Sequence, residues 1–140
     1  MEHDDLERFL KAQEHSYSTA LLEIKSGRKK SHWMWYIFPQ LAGLGRSETA
    51  AYYAIRDLGQ ARAYMAHPIT GSRLMEISGA LLRADCSDAG AIFGFPDNLK
   101  LRSCMTLFAE ACPETVLFQN VLDKFFDGGK DEATLRLLYP

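Results

Sequence analysis

Apolar positions recur every three or four residues along most of this chain, and the spacing predicts helix almost throughout. The first helix is expected over residues 5–26. Leu6, Phe9, Leu10, Tyr17, Leu21 and Ile24 fall on one stripe, Asp4 or Asp5 can cap the start, and Gly27 ends it. Gln13 interrupts that stripe. A buried amide needs partners, so it must bond to backbone or face a polar cavity. In "SHWMWYIFPQ", Trp33, Trp35 and Ile37 would share one strand face, and Met34, Tyr36 and Phe38 the other. Over so few residues, periodicity does not separate strand from helix, and Pro39 stops either.

Further along, "LAGLGRSETA" is a glycine loop in which Ser47 can cap a short helix through about Ala54. "DLGQARAYM" opens with Asp57 and Gln60 at capping-box spacing and predicts a helix to about Ala66. Pro68 suits the first turn of a helix over 68–84, with Leu74, Ile77 and Leu81 inward and Arg73 on the flank. A short helical turn follows at Ala89–Phe93. Asp97 is placed to cap the next helix, whose buried stripe is Leu101, Cys104, Met105, Phe108 and Cys112. Pro113 begins another helix, with Val121, Leu122 and Phe125 inward and an end at Gly128 and Gly129; Asp131 caps the last, "EATLRLL". There is no repeat or low-complexity segment. The expected fold is all-α: one compact domain over 1–140, a bundle of about six to eight helices, several of them short.

Composition narrows the function more than the fold. A chain of 140 residues, 47% apolar and 24% charged, can bury a core of its own. Its net charge of −2 lacks the Lys and Arg surplus of a general nucleic-acid binder. Arg28, Lys29 and Lys30 form the one local basic cluster, which a solvated helix end explains at least as well as a ligand does. "MEHDDLERFL" is not laid out as a signal peptide, and no apolar run approaches the roughly 20 residues of a membrane span. Cys86, Cys104 and Cys112 are too far apart for a Cys-x-x-Cys pair. They read as reduced, buried thiols in a cytoplasmic protein.

His3, His15, His32 and His67 share no ligand spacing, so no metal or cofactor is expected, and no Gly-x-Ser-x-Gly elbow marks a nucleophile. The loop from Gly43 to Ser47 is more suggestive. Gly43 and Gly45 let backbone N–H groups converge, Arg46 adds charge, and a helix start follows, a combination that suits phosphate or carboxylate. The signal is weak, because two glycines in a loop are mostly turn chemistry. Lys100, Ser103 and Thr106 stand three apart, with Asp97 one turn earlier, and together could grip a polar ligand. The plainer reading is a capped helix with an i,i+3 ion pair.

Longer segments carry a resemblance. "KKSHWMWYIFPQLAGLG", "ARAYMAHPITGSRL", "FGFPDNLKLRSCMTLF" and "FFDGGKDEATLRLL" resemble the uncharacterised bacterial family called domain of unknown function 1810, over nearly the whole chain. That family implies no established activity. Its members are often labelled calpastatin, but inhibitors of that type are repetitive, polar and disordered until bound, unlike this apolar, helix-capped chain. A looser resemblance, in "GQARAYM" and in Leu122, Lys124 and Phe125, is to the helical NADAR proteins, linked to ADP-ribose and nucleotide glycoside chemistry. It carries no catalytic residue across.

Two functional readings follow. In the first, the chain binds a nucleotide-like or ADP-ribosyl small molecule, with N-glycosidic hydrolysis as the enzymatic form of that reading. Hydrolysis needs a carboxylate to steady positive charge on the sugar and orient water, and Asp97 is best placed, then Glu23 or Glu48. The expected ligand-binding residues are His32, Trp33, Trp35, Gln40, Arg46, Arg73, Lys100 and Ser103. His32 and Gln40 should reach one pocket faced by Lys100 and Ser103 with Arg73 nearby, because polar residues bordering apolar stripes satisfy one another around a shared cavity. In the second reading the chain is a non-enzymatic interaction module that presents 33–38 as an aromatic anchor. A polar pocket beside the tryptophans favours the first, an exposed apolar patch the second.

Overall fold

A computed structural model describes residues 5–140. Among them the chain forms α1 (Glu7–Lys25), α2 (Met34–Ile37), α3 (Glu48–Tyr52), α4 (Leu58–Ala66), α5 (Thr70–Arg83), α6 (Ala89–Phe93), α7 (Asp97–Ala111), α8 (Leu117–Phe126) and α9 (Glu132–Leu138). The expected all-α class is what the structure shows. Extended pairing among the described residues is confined to one parallel bridge between Leu41 and Ile55. There the Ile55 N–H donates to the Gln40 carbonyl and the Ala42 N–H to the Ile55 carbonyl, each at 2.8 Å.

Helix α7 sits at the centre, packed against α4, α6, α8 and α9. Its sequence explains that place. Every residue from Ser103 to Ala109 is buried, so this stretch has no face to give to water. Phe108 packs between Tyr64 of α4 and Phe118 of α8, at 5.4 and 5.8 Å. Both buried hydroxyls of α7 are hydrogen-bonded: Thr106 accepts the Asp131 N–H at 2.8 Å and Ser103 donates to the Leu99 carbonyl at 3.2 Å. Outside α7, the long helix α1 lies along α5 and α2, and α5 also contacts α4 and α8.

The caps read from sequence hold at three helices. Ser47 accepts the Ala50 N–H, Asp57 the Gln60 N–H and Asp131 the Thr134 N–H, at 2.9–3.0 Å. At the other end of α5, Lys124 of α8 donates to the carbonyls of Leu81, Leu82 and Ala84. The Leu81 carbonyl also accepts the Ala84 N–H at 3.3 Å, and the cation gathers it with the two carbonyls beyond, closing the helix end.

Several boundaries shift. Helix α1 starts at Glu7, with Asp5 accepting the Glu7 N–H from just outside it; Asp4 and His3 lie outside the described residues. Leu10, Tyr17, Leu21 and Phe125, expected inside, are half-buried. Pro68 and Pro113 stand in turns ahead of α5 and α8 rather than in the helices; the Thr115 N–H closes the second turn on the Cys112 carbonyl at 2.9 Å. Asp97 is the first residue of α7 rather than its cap, because its carboxylate is taken by two lysines. Cys104 and Cys112 are buried, Cys86 is half-buried, and all three are free thiols. Among the described residues no helix is long and apolar enough to cross a membrane.

Candidate functional site

The site begins with Glu23, a carboxylate buried on α1. After α1 the chain turns at Gly27, whose φ of 91° suits glycine, and runs back along the helix. Glu23 takes four donors from that returning segment. They are the Lys30 and Ser31 N–H groups at 2.8 and 3.0 Å, the Ser31 hydroxyl at 2.6 Å and the Trp33 indole N–H at 2.9 Å. Burial opposes the charge, but the Ser31 hydroxyl, the Lys30 N–H, the Trp33 indole and the Ser31 N–H together outweigh it and lower the carboxyl to about 2.

With Trp33 pinned, "WMWYIF" becomes one helical turn. Trp33, Met34, Ile37 and Phe38 point into the core, while Trp35 and Tyr36 are left half-buried. That spacing is helical; a strand would have kept Trp33 and Trp35 on the same side. Trp33 packs with Phe38 and Phe93 at 6.2 and 6.4 Å. The Tyr36 carbonyl accepts from Gln13 Nε2 at 2.7 Å, and the same amide reaches the Tyr64 hydroxyl at 2.8 Å. Gln13 is therefore satisfied within the core.

On the outer side of this turn lies a surface cleft of about 410 Å³. Trp35 and Gln40 form one wall, and Leu44 to Ser47 with Ala50 of α3 form another. Pro96, Leu99, Lys100 and Ser103 from the start of α7, and Asp131 and Ala133 at α9, complete it. Gly45 is fixed by close approach: a Cβ there would collide with the Ala50 side chain. Asp131 is spent on capping, since it accepts both the N–H and the hydroxyl of Thr134. Arg46 is exposed, and the Lys100 ammonium lies 5.3 Å from the Trp35 ring centre.

Beside the cleft, Asp97 stands between two ammoniums. Lys29 is 2.9 Å from its Oδ2 and Lys100 3.4 Å from its Oδ1. The Lys29 side chain is nearly enclosed beside Trp33 rather than solvated, with its ammonium 5.1 Å from the ring centre.

The structure thus brings together five of the expected residues, Trp35, Gln40, Arg46, Lys100 and Ser103. It separates the others. His32 is exposed and does not line the cleft, because Ser31 is held by Glu23 and Trp33 turns inward on either side of it. Trp33 is core. Arg73 belongs to another face, where α5 meets α1: its guanidinium lies 5.3 Å from the Tyr17 ring centre and 3.4 Å from Gln13 Oε1. The expectation of one pocket uniting His32, Gln40, Lys100, Ser103 and Arg73 is corrected accordingly. Thr106 lies beneath the cleft in the core, and Glu48 is exposed on α3 without lining it. The helix start after Gly45 is a five-residue helix whose Ala50 N–H is already taken by Ser47, so it leaves little for an anion. Among the described residues no three His, Cys, Asp or Glu side chains meet to hold a metal ion.

Sequence reading missed Lys29, Leu99, Asp131 and Ala133. Lys29 has a signal only in retrospect, two residues after the turn at Gly27. Two residues behind the expected similarity to NADAR proteins have structural places: Leu122 is core and Lys124 closes α5.

Comparison with known proteins agrees with this architecture. The chain matches the crystal structure of the conserved hypothetical protein Rv1873 from Mycobacterium tuberculosis at 44% identity and a TM-score of 0.95, over 97% of each chain. No curated protein matches it. The family model for proteins of unknown function DUF1810 covers residues 3–138, and the chain belongs to that family.

Proposed function

We propose that the cleft binds a small ligand that pairs a planar ring with an anionic group, of the nucleotide-like or ADP-ribosyl class. The observation that carries this reading is the convergence of Trp35, Gln40, Arg46, Lys100 and Ser103 on one cleft. Its volume of about 410 Å³ falls within the range of small-molecule sites. Arg46 and Lys100 supply cations for phosphate or carboxylate, and Trp35 offers a ring for stacking. Gln40 can both donate to and accept from the edge of a base.

Binding has more support than hydrolysis. Asp97, the carboxylate expected to act on a sugar, is held by Lys29 and shared with Lys100, so little of its charge is left for a positive transition state. The interaction-module reading has less support still. Trp33, Met34, Ile37 and Phe38 are buried, and a core segment cannot serve as an exposed anchor.

Thermal shift and calorimetry with adenosine, ADP and ADP-ribose test the proposal. A ligand that binds only the native state raises the melting midpoint. Arg46→Ala should lower ADP affinity about tenfold while changing stability by no more than about 0.5 kcal/mol, as expected of an exposed side chain. Wild-type protein that binds none of the three would end this reading.

A further inference from the structure

Three charges stand in a row behind the cleft, and their order matters. The Lys29 side chain is 8% exposed, and it holds Asp97 at 2.9 Å. The Lys100 side chain is 29% exposed, lines the cleft, and sits at 3.4 Å from the other Asp97 oxygen. Two ammoniums against one carboxylate leave one positive charge over. The nearer and more buried pair is the less screened, so Asp97 is neutralised mainly by Lys29. The surplus falls on Lys100, at the cleft.

We infer that Lys29 is a positioning residue that sets the charge of the cleft: by holding Asp97 it leaves Lys100 free to meet an anion. This inference rests on the reading of the cleft as a binding site. Lys29 cannot meet a ligand in the cleft itself, being buried and absent from its lining. Its place is fixed from the core, because its N–H donates to the Ile92 carbonyl at 2.7 Å and its ammonium lies by the Trp33 ring. Trp33 is in turn tied to Glu23. Without the Lys29 charge, Asp97 would be left to pair with Lys100 alone and cancel it. A plain structural clamp between the 28–33 segment and α7 would weaken stability when broken, with no pattern in anion binding.

Four proteins separate these accounts: wild type, Lys29→Met, Asp97→Asn and the double variant. Each is checked for folding by circular dichroism, then titrated calorimetrically with ADP and with neutral adenosine at low and high salt. Lys29→Met should weaken ADP binding about tenfold, the order expected for one unit charge beside a site. Asp97→Asn should tighten it, and the double variant should return to within about twofold of wild type. Adenosine should bind all four alike, and the ADP differences should shrink at high salt. Rescue in the double variant with adenosine binding unchanged throughout is the decisive result, since damage to a structural clamp would weaken adenosine as well as ADP. Equal ADP affinity in all four, or a double variant as weak as Lys29→Met, would overturn the inference and leave the proposed function standing. If Lys29→Met does not fold, unchanged or weaker ADP binding by Asp97→Asn overturns it alone. A wild type that binds neither ligand removes both proposals.

Discussion

Glu23 shows how one side chain can organise a site it never enters. Its carboxylate gathers four donors within ten residues of chain and turns Trp33 inward. Its pKa is lowered from 4.5 to about 2, so the folded state holds the charged form more tightly than the unfolded chain does. The sign follows: stability from this group is fully present above the unfolded value and is lost as pH falls from about 4.5 through about 2. Replacing Glu23 by Gln should cost about 2 kcal/mol at neutral pH, as for buried hydrogen bonds to a charge, and flatten the acid limb. Urea midpoints of both proteins between pH 2 and pH 7 check this; parallel curves would show that Glu23 is not the titrating group. Nothing in "ALLEIK" distinguishes this glutamate from a solvated one. Its donors lie seven to ten residues on, beyond the reach of helical periodicity.

At the scale of elements, α5 carries two glycines with opposite meanings. Gly71 lies where α5 follows α4, and a Cβ there would collide with the Met65 carbonyl. Gly79 has only the Arg83 guanidinium near it, at 3.2 Å, and that flexible side chain can move. Gly71→Ala should therefore destabilise by about 1–3 kcal/mol, as overpacking does. Gly79→Ala should stabilise by up to about 1 kcal/mol through helix propensity. Denaturant unfolding of the two variants checks the pair; equal effects would mean that the crossing has room to relax. The helices themselves were legible because stripes and caps such as Ser47, Asp57 and Asp131 are local. Starts at Pro68 and Pro113 were not, since proline also suits the turn before a helix. Asp97 looks like a cap in the sequence because its partner Lys29 lies far off along the chain.

Across the whole molecule, the two tryptophans divide core from cleft. Trp33 is 1% exposed and hydrogen-bonded to Glu23, whereas Trp35 is half-buried beside Lys100. Trp33→Ala should cost about 3–5 kcal/mol, a large part of a typical domain's stability of about 5–15 kcal/mol. Trp35→Ala should cost about 1 kcal/mol or less and instead weaken ADP and adenosine alike by tenfold or more, through lost stacking. Melting curves read alongside calorimetry make the division visible. Equal destabilisation by both changes would place Trp35 in the core and remove it from the proposed site.

By itself the sequence determined the all-α class, most helices, three of the caps and the apolar core, because each depends on spacings of three or four residues. It also brought forward Trp35, Gln40, Arg46, Lys100 and Ser103, which one cleft unites. Only the tertiary structure decided which polar residues meet. The helical turn at 34–37 parts Trp33 from Trp35. The packing of α5 on α1 takes Arg73 away, and the return of the chain after Gly27 brings Lys29 to Asp97, 68 residues later. Contacts of that range are set by how helices pack, and a hydrophobic stripe fixes which face turns inward without saying what waits on the other side.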